Sequence, residues 1–542
     1  MLTLVHIISF FANTTFSNSK QHDTECDELV HRPKEHLTTS FHENIERIKK
    51  TFFFPLNQDF SIRSMYIPTL KKEAILFFLS GMTNETYLEE RIIQPIMSKS
   101  SSDSNHLKKT DSVVSNGDSD VNEKVEDFFK TIPSIKTKKG LDHFDQVVQH
   151  ILSGHTVLLI DGFPYAITIE TEEIQHRPIG QPEIEASLIG PKEAFVESSE
   201  VNRALIRKQV RDASLVTEKV SFGSQNHNEV SIMYINDVVN PELVENVRQR
   251  IGEIEADYVQ NLSILEQHIE DRPYSLVPTI LLTERPDRAA SFLMEGHIIV
   301  LMDSSPECLI VPVTFWSFFH TPEDQYNRWP YGNWIRLTRL FAFLVAILAP
   351  ASYIATSSFH VEAIPINLLL TIASTRGGVP FPTLFELLLI EICFDIVREA
   401  GTRFPTKGGP VVALIGAFII AYATIEAGLM SPITIAIVGF SSLASYTIPI
   451  NSFTFAVRIA RFGFIGLSAI MGFFGIAIGV QMCVAYLASV KSFGVAFISP
   501  MSPHYPSSKD MLIRLPVWKQ WLRPMNVNPL KAKHSEKPEG GE

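Results

Sequence analysis

The sequence predicts an α/β soluble N-terminal domain in two subdomains, followed by an α-helical multi-span membrane domain. Three observations carry this. Residues 1–330 hold 31 Lys and Arg against 49 Asp and Glu, whereas 331–542 hold 16 against 10. Beyond Arg339 come long stretches almost free of charge. Before it, apolar residues follow strand and helix periods with turn signals between them. The acidic front is long enough for about two domains and argues against a nucleic-acid partner. A hydrophobic content of 45% excludes a chain disordered throughout.

Taken in order, residues 1–40 are polar, and His22, His31 and His36 lack ligand spacing, so a disordered leader is expected. Leu2–Phe11 is apolar but has no basic flank or small-residue cleavage site, so it does not read as a signal peptide. From 41 to 97, Ile45 and Ile48, then Ile75, Phe78 and Leu79, then Ile92, Ile93 and Ile96 recur at helical spacing, which predicts a small, mainly helical subdomain. Ser98–Lys124 is dense in Ser, Asp, Asn and Lys and reads as a flexible insertion.

Residues 125–333 read as the α/β domain. A helix is expected near Leu141–Leu152 and another over Glu200–Asp212. Thr156–Ile160 and Phe163–Glu170 flank Asp161-Gly162, a two-residue hairpin signal. Val230–Ile235 reads as a strand, and Pro241 opens a helix through Val244, Val247, Ile251 and Ile254. A second hairpin pairs Ile298–Met302 with Leu309–Val313.

Residues 334–490 form the expected membrane domain. Leu340–Phe359 is uncharged and long enough to cross a hydrocarbon core of about 30 Å. Ala363–Thr375 is too short to span and is followed by Gly377-Gly378 and Val379-Pro380-Phe381-Pro382, a pattern for broken or re-entrant helix. Pro410–Ile450 carries only Glu426 and divides at Gly428, Ser431 and Pro432 into two spans. Phe462–Val490 has no charge, and Gly475 and Gly479 make a small-xxx-small pair that lets another helix approach closely. Phe381–Ala400 is different. Glu391, Asp395, Arg398 and Glu399 fall on one face of a helix and Glu386 on roughly the opposite side. Such a helix lies in the interface or lines an aqueous path, because carboxylates facing lipid are expensive.

Four to six spans are expected. Five leave the basic C-terminal tail, 491–542, on the outer side; an even number returns it inside but spoils the inner loops. Cys26, Cys308, Cys393 and Cys483 are scattered, and no nucleotide-binding, hydrolase or metalloprotease signature occurs, so neither an enzyme nor a cofactor or metal is predicted.

Several strings resemble the A subunit of the bacterial spore germinant receptor family. They include Gly190-Pro191-Lys192-Glu193 with Asn202, Thr283-Glu284-Arg285-Pro286-Asp287, Ser305-Pro306 leading to Val311-Pro312, and Phe359-His360 with Glu362. Val379-Pro380-Phe381-Pro382, Arg398-Glu399-Ala400-Gly401 and Ser492-Phe493-Gly494 continue the series. Ala194 and Ala421-Tyr422 depart from the family pattern. The resemblance implies a subunit of the spore inner membrane with a cytoplasmic N-terminal domain. It also implies a transporter-like B subunit and a lipoprotein C subunit as partners, and a ring of A subunits forming a nutrient-gated cation channel. Under that reading Glu386, Glu391 and Asp395 are candidate pore or interface residues, and Gly475 and Gly479 pack helices. A secondary transporter and a non-conducting scaffold are the alternatives.

Overall fold

A computed structural model describes residues 36–38, 40–68, 70–98, 141–172, 182, 185, 189–223, 228–403, 409–505 and 510–535. Of the expected disordered leader 1–40, residues 1–35 and 39 lie outside the described residues, as does nearly all of the insertion at 98–124; Leu37, by contrast, is buried in the first subdomain's core and donates its N–H to Asp142 O at 2.9 Å.

The first subdomain is built on an antiparallel sheet in the order β1-β2-β3-β4: β1 Phe60–Ile67, β2 Lys72–Leu79, β3 Thr156–Ile160 and β4 Ile167–Ile169. Helices α1 (Phe41–Thr51) and α2 (Phe144–Leu152) cover one face, and helical turns over Glu85–Ser98 cover the other. Three expectations are corrected here. Residues 60–79 form a hairpin rather than helix, with Phe60 opposite Leu79 and Ile67 opposite Lys72. The reason is that β2 is buried on both faces: Ala74, Leu76 and Phe78 enter one core and Phe77 and Leu79 the other. A strand buried on both sides reads as a continuous apolar run, which matches helical spacing by chance. The unit also extends beyond 41–97, because β3 and β4 complete its sheet. The β3–β4 turn spans 161–166 rather than Asp161-Gly162 alone, since Phe163 is drawn into the core before the chain can pair.

The second sheet has the order β5-β6-β8-β9-β7, all antiparallel. Its strands are β5 Leu215–Phe222, β6 Asn228–Ile235, β7 Leu281–Thr283, β8 Ile298–Met302 and β9 Cys308–Val311. Ile298 faces Val311 and Val300 faces Leu309, as the sequence hairpin requires. Helices α3 (Ser199–Gln209) and α6 (Pro286–Met294) pack on one face, α4 (Pro241–Gly252) and α5 (Leu262–Ile269) on the other. Pro241 occupies the first turn of α4 behind an Asn240 cap. The two subdomains are bolted together by Asp59, which lies 2.9 Å from Arg207 and 3.1 Å from Arg203 of α3. Burial alone pushes the Asp59 carboxyl up, but the two guanidiniums and the Thr217 hydroxyl hold it below the ordinary carboxylate value.

The remaining helices form a bundle: α7 Trp329–Ser358, α8 Ile366–Arg376, α9 Thr383–Thr402, α10 Gly409–Glu426, α11 Pro432–Ser445 and α12 Asn451–Ser489. Among the described residues α7 and α12 are long and apolar enough to cross a membrane. α11, expected to be nearly span length, has 14 residues, or about 21 Å. The 39 residues of α12 are not one rod. At Gly472 the backbone takes φ 60° and ψ −137°, and the chain doubles back. A Cβ on Gly479 would lie 2.8 Å from the Phe464 ring. Those residues would stand about 22 Å apart on a straight helix. The arms 451–471 and 473–489 are therefore antiparallel.

Both ends of α12 sit against the soluble domain. Phe453 stacks on Phe318 at 5.4 Å. Tyr486 Oη is 2.9 Å from Ser275 Oγ and accepts from the Leu276 N–H at 2.8 Å. The Gly472 turn abuts Phe359 and His360 at the far end of α7. The tail, expected as a separate basic unit, is woven into the soluble domain: Phe497 and Val527 are core residues there, and Ser492 Oγ donates to Thr279 O at 2.6 Å.

Candidate functional site

Two clusters of buried charge stand out, one inside the bundle and one where the bundle meets the soluble domain. In the bundle, Arg461 Nη1 donates to Glu391 Oε2 at 2.6 Å, with both side chains only 2% exposed. One turn along α9, Asp395 lies 3.5 Å from Arg458, also on the first arm of α12. Arg398 lies over the Tyr446 ring at 4.2 Å and donates to Ser445 Oγ at 3.1 Å. Three arginines thus face two carboxylates. Arg461 Nε and Nη2 and Glu391 Oε1 have no protein hydrogen-bond partner among the described residues.

The stripe read from the sequence is therefore real, but it points into the chain's own bundle. Glu391 is fully enclosed, while Asp395 keeps partial exposure. Glu386, on another face of α9, is equally buried and accepts the backbone N–H of Ser431, the cap of α11. A carboxylate suits that position because the first N–H groups of a helix lack intrahelical acceptors and carry partial positive charge. Arg376 lies 3.9 Å from its other oxygen. The basic partners Arg458 and Arg461 were not singled out from the sequence. Their three-residue spacing at the edge of an uncharged run, complementary to the four-residue spacing of Glu391 and Asp395, was the available signal. Gly475 and Gly479 lie close against the preceding arm of the same chain.

At the junction, Asp324 is wholly buried. Its two oxygens accept from the Thr321 N–H and hydroxyl, Arg336 Nε at 3.3 Å, and Arg339 Nη1 and Nη2 at 2.8 and 2.9 Å. Arg336 reaches on to Asp510 at 2.8 Å, and Arg514 donates to the Asp324 carbonyl at 2.8 Å. The side chain of Asn333 holds both the N–H and the C=O of Arg514, at 2.7 and 3.1 Å. One carboxylate thus joins the soluble domain to the first turns of α7, and α7 in turn holds the tail. Burial pushes the Asp324 carboxyl up, and Arg339 and Arg336 bring it below the ordinary range. His320, enclosed between α7 and the tail, has a ring nitrogen 2.8 Å from Met511 O. Burial, and then Arg336, lower its pKa to about 4, so at neutral pH it donates as the uncharged imidazole. Beside this cluster, Arg285 and Asp287 of the Thr-Glu-Arg-Pro-Asp string pair at 2.6 Å, and Tyr326 donates to Asp287 at 2.8 Å.

An acidic α/β domain, an apolar helical bundle with an internal charge cluster and a tail that returns to the α/β domain define a chain of two coupled parts. The family model described as "Bacillus/Clostridium GerA spore germination protein" matches residues 46–526. Spore germination protein KA of Bacillus subtilis (strain 168) is 33% identical over 456 residues, 84% of this chain and 80% of that one. Spore germination protein B1 of the same organism is 30% identical over 494 residues, 91% of this chain and 98% of that one. The chain belongs to the GerA family, the A subunits of bacterial spore germinant receptors. The crystal structure of the N-terminal domain of the A subunit of the Bacillus megaterium germinant receptor GerK3 overlays with a TM-score of 0.38 at 24% identity. That overlay covers 52% of this chain and 99% of that one, too loosely to add to the fold described above.

Proposed function

We propose that this chain is the membrane-embedded A subunit of a nutrient germinant receptor in the spore inner membrane. Several copies, with a transporter-like B subunit and a lipoprotein C subunit, open a cation pathway when nutrient is present. In this reading the bilayer is crossed six times, by α7, α9, α10, the segment 431–450 that contains α11, and the two arms of α12, and the α/β domain and tail share the cytoplasmic side. The observation that carries the topology is the reversal at Gly472, which returns the basic tail to the side of Arg336 and Arg339. An even number of crossings then agrees with the charge of the tail.

The pathway reading rests on Glu391 and Arg461. A charge pair in an apolar bundle costs several kcal/mol of desolvation per ion, so its presence there favours a functional role over a purely structural one. Here α9 acts as a latch: Glu391 and Asp395 hold it on the α12 arm, and nutrient-driven rearrangement changes those pairings. The test is potassium release from spores carrying Glu391→Gln, Asp395→Asn or both, with the level of each protein measured in parallel. Release altered beyond any fall in protein level is expected, since Glu391→Gln also leaves Arg461 as a buried charge. Normal release in the double variant at normal level removes the latch.

Because Glu386 and Glu391 find partners within one chain, a non-conducting scaffold is the second reading. Cation flux through the reconstituted chain, alone and with its partners, separates the two. For topology, a label at Pro330 that reacts only from the outer face would overturn the orientation.

A further inference from the structure

The stretch of tail that runs beside α7 turns its charge inward and its apolar side chains outward. Asn333 grips the backbone of Arg514, and Met511 and Leu512 lie in a crevice with Trp316, Leu337 and Leu340. The stretch is thereby pinned along 333–340, about the last 10 Å of α7 before its uncharged run begins. Arg514 points inward to the Asp324 carbonyl. Ile513 is 50% exposed, and beyond Pro516 Val517 is 63% and Trp518 69% exposed. α7 presents exposed apolar side chains of its own at the same end, through Trp334, Leu337 and Phe341. A segment built for water would be arranged the other way round.

We infer that Leu512, Ile513, Val517 and Trp518 form a membrane foot, seated at the polar–acyl boundary of the leaflet on the soluble domain's side. This rests on the reading that α7 crosses a bilayer. A lipid boundary fits because the segment is tethered at the depth where α7 enters hydrocarbon, and because its outermost group is a tryptophan, the side chain that favours that depth. The foot makes the tail a second membrane contact outside the crossing helices, coupled through Arg514 to Asp324.

The test uses the full chain reconstituted in phosphatidylcholine vesicles whose acyl chains carry bromine, a contact quencher of tryptophan, near the headgroup or near the chain end. Trp518→Phe is expected to remove a component of the emission that shallow bromine quenches more strongly than deep bromine. Ile513→Ser/Val517→Ser is expected to weaken that component at unchanged protein level. Phe341→Trp, made in the Trp518→Phe chain, reports on α7 independently and, lying where α7 enters hydrocarbon, is expected to be quenched by shallow bromine. If Phe341→Trp is quenched and Trp518→Phe changes nothing, the foot is overturned while the crossing stands. If Phe341→Trp is not quenched, the crossing falls and the foot with it. Shielding of Trp518 only after other receptor subunits are added means a protein partner and also overturns the proposal.

Discussion

The two charge clusters are made of the same groups and behave differently. Asp324 accepts five hydrogen bonds, whereas Glu391 accepts one, leaving an oxygen and two guanidinium nitrogens of Arg461 without protein partners among the described residues. A carboxylate with both oxygens satisfied fixes its surroundings, although Arg514 Nε at its edge also lacks a partner among the described residues. A partly satisfied one in an apolar bundle keeps an alternative arrangement within reach, because breaking it forfeits fewer bonds. Under the proposed latch, the junction is the rigid coupling and the bundle cluster is the part that changes state.

The largest expected effect tests the rigid side. Asp324→Ala strands Arg336 and Arg339 in a buried site and should cost about 3–5 kcal/mol, seen as loss of the protein from membranes. Accumulation at the normal level would make the coupling dispensable. Next comes the α12 turn. Gly475→Leu drives its side chain onto the Leu467 carbonyl and should lower yield and thermal stability of the chain even without partners. An effect confined to oligomer recovery would instead place that contact between subunits.

Glu391→Gln leaves Arg461 as a buried charge but breaks one hydrogen bond where Asp324→Ala breaks five, so it should cost less, about 1–3 kcal/mol. Glu391→Gln/Arg461→Met should regain protein level, since no charge is then stranded, yet still alter potassium release. Failure of the second change to restore the level would mean that the pair does not act as a unit.

Acidification distinguishes the clusters through His320. Its folded pKa, about 4, lies below the ordinary histidine value, so its contribution is complete above about pH 6.5 and is lost as pH falls toward 4. Thermal stability of the purified chain should drop across that window, and His320→Gln should flatten the drop. The smallest effect serves as a control. Glu399 pairs with Arg403 at the exposed end of α9, and Glu399→Gln should change stability by less than about 0.5 kcal/mol and leave release normal.

Much of this was legible before any coordinates. Amphipathic periods exposed α1, α2 and α4, the turn at Asp303–Pro306 exposed the β8–β9 hairpin, and absent charge marked α7 and α12, because each signal is local. β2 was misread for an equally local reason: a strand buried on both faces has no alternation to display. The charge stripe on α9 was also visible, since helical geometry alone aligns Glu391, Asp395 and Arg398. Its direction was not. Whether a face meets water, lipid or another helix depends on what packs there, and the arginines that enclose Glu391 lie some seventy residues away.

Tertiary structure alone also decided the route of the chain. Sequence by itself set an apolar run at 462–490 and a glycine at 472, and both suit a straight span as well as a reversed one. Only packing against Phe464, Leu467 and His360 selects the reversed form and thereby brings the tail home. Local propensity determines that a segment is helical; the contacts available at its two ends determine where it goes.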